Sequence, residues 1–169
     1  MRFREKKYKR ITLNIKPQME FKKILDTLEE IRLPDMGTKQ QNMKYAVLEM
    51  VNNSIRAHRE NNIDKPICII LAYDFPSLTI EVKDCGPGFN PGNLPFSLED
   101  NPLQIDVKSK AFLEYRERNN YLRFGMGLYV VRKTFPIFRL AFLNQEGEPI
   151  PWSPGKVHGT SITVGIKKE

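Results

Sequence analysis

The stretch VKDCGPGFNPGNLPF, residues 82–96, decides how the chain is read. An alternating run, Leu78, Ile80 and Val82, stops just before Asp84, and period-two alternation marks a half-buried strand. Gly86, Gly88 and Gly92 follow, residues that let a backbone turn sharply or pass close to a bound group. Alone, such a turn is an ordinary hairpin. A hairpin needs a returning strand, and none resumes beyond Phe89. Residues 89–124 are instead a long segment broken by Pro91, Pro95 and Pro102, with one short helix expected around KAFLEYRER. Irregular segments of this length inside a compact domain belong to function more often than to scaffold.

Working outward, PICIILAY and SLTIEVK read as two strands joined at Asp74 to Ser77, and RITLNIK as an earlier strand that stops before Pro17. Phe21, Ile24, Leu25, Leu28 and Ile31 recur at helical steps. Thr38 and Gln41 have the spacing of a capping box, opening a second helix to about His58 with an apolar face of Met43, Ala46, Val47, Met50, Val51 and Ile55. GMGLYVVRKTF begins a further helix, and IFRLAFLN and TSITVGI are two more strands around a loop at 144–158. The expectation is an α+β protein.

The bulk numbers narrow the function classes. The chain has 169 residues, 40% hydrophobic and 28% charged, the composition of one folded domain. No apolar run approaches a membrane span, and the basic start is not followed by the apolar stretch of a signal peptide, so a cytoplasmic protein is expected. Cys68 and Cys85 can build neither a disulfide framework nor a four-thiolate zinc site. The net charge of +7 is concentrated at the start: residues 1–10 hold six Lys/Arg and one Glu, leaving 21 basic against 19 acidic elsewhere. The tail at 1–10 is read as solvated and the body at 11–169 as a nearly neutral single domain, which makes nucleic acid an unfavoured partner.

Four short signals carry chemistry. On the second helix, Glu49, Asn53 and Arg56 share a stripe opposite the apolar face, with Asn52 and Glu60 beside it. A solvated helix face would look the same, but two adjacent Asn residues cost helix stability unless their side chains serve elsewhere. Asp84, Gly86 and Gly88 form the second signal. Gly125 and Gly127 open a helix whose first amides suit a phosphate, and Gly159 with Thr160 enters the last strand.

In this order the four resemble the GHKL ATPase superfamily of gyrase, heat-shock chaperone, histidine kinase and mismatch-repair ATPases. The matches are Glu49-x-x-x-Asn53, Asp84-x-Gly86-x-Gly88, Gly125-x-Gly127-Leu128 and Gly159-Thr160. The resemblance implies the Bergerat fold, a two-layer sandwich with a mixed sheet covered on one face by helices, and a site for ATP and Mg. It implies that Asp84 accepts from the adenine amino group with Thr160 beside it and Gly86 and Gly88 making room. Asn53 would ligate Mg, Arg56 would lie near the phosphates, and Gly125, Met126, Gly127 and Leu128 would hold them. Residues 89–124 would be the ATP lid, with Arg116, Arg118, Arg123, Lys108 and Lys110 as its cations. One departure concerns histidine: the family often has it four residues after the Asn, where this chain has Ala57. His58 is turned about 180 degrees from Glu49 and reads as a packed or surface residue. Trp152 reads as local packing rather than base stacking.

The chain ends soon after the last strand and carries no histidine on a dimerisation helix, so the expectation is a free-standing ATP-binding domain similar to bacterial anti-sigma factor serine/threonine kinases. That resemblance makes Glu49 the catalytic residue, as general base or as orienting carboxylate for the hydroxyl of a partner's Ser or Thr. It implies an anti-anti-sigma (STAS-type) substrate, a sigma factor as second partner and a possible homodimer. An ATP-binding regulatory module or slow ATPase without kinase activity, a histidine-kinase-like domain acting in trans, and a nucleic-acid protein using the tail are the alternatives.

Overall fold

A computed structural model describes residues 8–31, 37, 39–74, 76–118 and 126–167. Most of the basic tail, Thr38 of the expected capping box, Arg123 and Gly125 lie outside the described residues. Along the chain run β1 (Tyr8–Ile15), α1 (Phe21–Glu30), α2 (Lys39–Glu60), β2 (Ile67–Asp74), β3 (Ser77–Asp84), α3 (Lys110–Arg118), α4 (Met126–Thr134), β4 (Ile137–Leu143), β5 (Pro149–Ile150) and β6 (Gly159–Lys167). Two short 3-10 turns, Pro91–Asn93 and Pro102–Gln104, interrupt the long segment after β3. The two-residue β5 lies in what the sequence presents as a plain loop.

The strands form one sheet in the order β1-β2-β3-β6-β4-β5. The α+β class and the two layers hold, but the sheet is not mixed: every described pairing is antiparallel. Connectivity explains why. Arg59 near the end of α2 donates to the carbonyls of Pro17 and Met19, so α2 ends where α1 begins. The helix pair thus returns the chain to the end of the sheet where β1 left it, and Ile15 pairs with Ile67. The crossover from β3 to β4 does yield two parallel strands, but β6 is inserted between them and runs opposite to both.

The core lies between the inner face of the sheet and the helices. Ile15, Ile67, Ile69, Leu71, Leu78, Ile80, Val82, Ile162, Val164 and Ile166 meet the expected stripe of α2 together with Ile24, Leu128 and Val131. Each such side chain contributes about 1.5–3 kcal/mol on burial. Phe21 is the exception among the apolar positions expected on α1, being half exposed at its first residue. Helix α2 extends to Glu60 and ends in a left-handed Asn62 (φ 53°), with the Ile63 amide donating to the His58 carbonyl. This is the cap in which Asn substitutes for Gly, and it turns the chain directly into β2.

Strand β3 stops at Asp84 and does not resume, as the opening stretch implies. The turn after it packs on its far side: Phe89 meets the Phe142 ring edge-on at 5.5 Å. Gly88 has φ +71°, and a Cβ there would lie 3.0 Å from both Phe142 and Val157. The 144–158 loop, without a role in the sequence reading, therefore supports this turn from below. Gly147 has a similar φ of +81° with nothing within 4 Å, so it separates backbone strain from crowding. Gly147→Ala is expected to cost about 1–2 kcal/mol from conformation alone, and Gly88→Ala about 2–5 kcal/mol once overpacking is added. Urea unfolding of both variants measures the difference.

Candidate functional site

Helix α2 presents two faces at once. Its inner stripe carries, among the apolar residues, Ser54 and His58, both buried. Polar side chains there must find partners, since burial without them costs free energy. Ser54 Oγ donates to Asp84 Oδ2 at 2.7 Å. His58 Nε2 accepts from the Cys85 amide at 2.8 Å, and its Nδ1 lies 2.9 Å from the Lys65 carbonyl oxygen. The Gly86 amide adds a bond to Asp84 Oδ1 at 2.9 Å. Asp84 also stands opposite Thr160 in the pairing of β3 with β6.

Asp84 is only 9% exposed. Burial pushes its carboxyl above the ordinary value, and the bonds from Ser54, Gly86 and the Thr160 backbone oppose the shift without cancelling it. A carboxylate held in this way is costly to the fold, which is typical of functional groups.

Asp84 and Thr160 line a cleft of ≈ 250 Å³. Pro87, Phe89, Leu94, Leu128 and Ile162 make its apolar walls. Asn53 and Arg56 of the outer stripe also line it, with Ala57, Glu60 and Asn61. Arg56 Nη2 donates to Asn53 Oδ1 at 3.0 Å, and its charge also reaches Tyr115 on α3, opposing the rise in that phenol's pKa that burial causes. Gly127 of α4 is buried against the same stripe: a Cβ there would fall 2.6 Å from Glu49 Oε2 and 3.5 Å from Asn53 Nδ2. Glu49, Asn53 and the start of α4 are thereby brought together, with Met126 as the first helical residue.

Of the site residues read from the sequence, Asn53, Arg56, Asp84, Leu128 and Thr160 line the cleft, Glu49 and Gly127 meet beside Asn53 without lining it, Met126 opens α4 outside the lining, and Gly125 is outside the described residues. Gly86 stands behind Asp84 rather than in the cleft wall, and Gly88 lines it. The cations of the long segment do not: Lys108, Lys110, Arg116 and Arg118 are absent from the lining, and Lys110 pairs with Glu114 at 3.7 Å. Trp152 is half-buried and likewise outside the cleft, and His58 is packed rather than exposed. Two residues were missed as supports, Ser54 and His58. Their signal was available, since a hydroxyl and an imidazole interrupt an otherwise apolar stripe.

Among the described residues no helix is long and apolar enough to cross a membrane. The family model of the histidine kinase-like ATPase domain matches residues 22–136. No curated protein matches the chain.

The raised pKa of Asp84 makes a signed prediction. At acid pH the carboxyl is protonated in folded and unfolded chains alike; as pH rises the unfolded chain ionises first, and the folded state loses stability as pH passes through the folded pKa. Asp84→Asn keeps the shape, with Ser54 able to accept instead of donate, and removes that loss. Urea unfolding from about pH 3 to about pH 8 is expected to show the variant gaining stability relative to the unsubstituted chain as pH rises. A relative loss over that range would contradict the assignment.

Proposed function

The chain belongs to the histidine kinase-like ATPase domain family, and from that premise we propose that it binds ATP in the cleft between α2 and α4 and transfers the γ-phosphoryl group to a serine or threonine of a partner protein. The observation that carries this reading is the mixed lining of the cleft, in which a buried acceptor, Asp84, and a cation and an amide, Arg56 and Asn53, stand among apolar walls. A nucleotide has the complementary groups. The adenine amino group donates to Asp84, the apolar walls take the faces of the base, and the phosphates meet Arg56 and the first amides of α4.

Metal binding is tested by the donors present. Among the described residues no cluster of three or more His, Cys, Asp or Glu can hold an ion. The Asn53 amide oxygen is a hard oxygen donor that fits magnesium when phosphate and water oxygens complete the shell. Bound there, magnesium would neutralise charge on the phosphates. Arg56 currently holds the Asn53 oxygen and would turn to the phosphates as the nucleotide arrives.

In the transfer step Glu49 takes the proton of the partner's hydroxyl while its oxygen forms a bond to the γ-phosphorus and the bond to the β-phosphate oxygen breaks, releasing ADP. Gly127 is the residue that leaves room for that carboxylate. Phosphoryl transfer asks mainly for positioning and charge neutralisation, which this arrangement is built to supply. The partner class that best suits the resemblance is an anti-anti-sigma (STAS-type) protein, with a sigma factor bound in the alternative state and a homodimer as the working form. ATP binding without transfer is the second reading, and the absence of the described lid cations from the cleft favours it.

Glu49→Gln separates the two. Labelled ATP, magnesium and proteins retained by the chain from its source cells are mixed and the phosphorylated sites mapped. The substitution is expected to lower transfer about 10²–10⁴-fold while ATP affinity stays within about threefold. Transfer undiminished in the variant contradicts the base role, and binding with no transfer to any retained protein favours the second reading.

A further inference from the structure

We infer that His58 is a positioning residue that sets the base selectivity of the cleft; the inference rests on the ATP reading above. His58 is 0% exposed and sits one turn beyond Ser54 on the inner stripe of α2. Its partners define its state. A backbone amide can only donate, so Nε2, 2.8 Å from the Cys85 nitrogen, is the acceptor; Nδ1 therefore carries the proton and donates to the Lys65 carbonyl 2.9 Å away.

The ring consequently ties three segments together: the end of α2, the approach to β2 at Lys65, and the exit of β3 at Cys85. Cys85 lies between Asp84 and Gly86, the two residues whose geometry fixes the carboxylate. Helix α2 thus grips Asp84 twice. Ser54 holds its side chain and His58 holds its backbone through the next residue. Ala57 closes the arrangement, its Cβ standing 3.1 Å from where a Cβ on Gly86 would be.

Selectivity follows from rigidity. A fixed carboxylate accepts from an exocyclic amino group and repels the carbonyl oxygen that guanine carries at the same position. Sites built around one hydrogen bond reject the wrong partner strongly because the buried group is left unmatched. A backbone free to shift at residue 85 would let the carboxylate turn away and relax that rejection.

Two substitutions separate positioning from bulk packing. His58→Asn reaches the place of Nδ1 and keeps the Lys65 arm; His58→Gln reaches the place of Nε2 and keeps the Cys85 arm. Affinities for ATP and GTP are measured by titration calorimetry on the full chain, with melting temperatures alongside. His58→Gln is expected to keep the ATP-to-GTP preference within about threefold, and His58→Asn to lose about tenfold of it, the size of one hydrogen bond. Two variants that lose the preference in proportion to their melting temperatures, or that both retain it, overturn the inference alone. An unsubstituted chain that binds neither nucleotide overturns the ATP reading and this inference with it.

Discussion

The bond from Ser54 to Asp84 is the constraint on which the rest of the site depends. It joins the inner stripe of α2 to the last residue of β3 across the layer boundary, inside the core rather than on its surface. Because the carboxylate is buried, it has to be held from several directions, and those holds place the surrounding parts. The Gly86 amide turns the chain away from the strand, the pairing with Thr160 brings in the last strand, and His58 fixes the approach to β2. The cleft is the space that these requirements leave between α2, the turn and α4.

The same helix works on its other side through different physics. Glu49, Asn53 and Arg56 are half-buried and meet α4 through the absence of a side chain at Gly127. Where the inner stripe is hydrogen-bonded to other elements, the outer stripe is bonded within the helix, Arg56 donating to Asn53. The segment after β3 is tethered to α4 separately. Phe96, Phe112 and Tyr129 form an aromatic cluster with centroids 6.2–6.3 Å apart, and Arg132 donates to the Asp100 carbonyl. In the proposed ATP reading, the hydrogen-bonded side of α2 would hold the base, its outer stripe would meet the phosphates and the separately anchored segment would cover them.

Much of this was legible in the sequence because periodicity and turn chemistry are local. The strand ending at Asp84, the two faces of α2, the helix at KAFLEYRER and the helix after Gly125 all follow from side-chain spacing. Antiparallel pairing was not legible, because it depends on which end of the sheet each crossover returns to, a property of helix pairs rather than of any stretch. The role of the 144–158 loop was hidden for the same reason: Val157 matters only where Gly88 meets it in space. His58 shows a subtler limit. Its face was correctly read as pointing away from Glu49, yet that face touches the backbone next to Asp84, 27 residues further on.

A crystal structure of the chain with ATP and magnesium tests the central claim most directly. The account predicts the adenine amino group within hydrogen-bond distance of the Asp84 carboxylate, with the phosphates beside Asn53, Arg56 and the start of α4. A base seated elsewhere, with the Asp84 carboxylate still held only by donors of the chain itself, would contradict it.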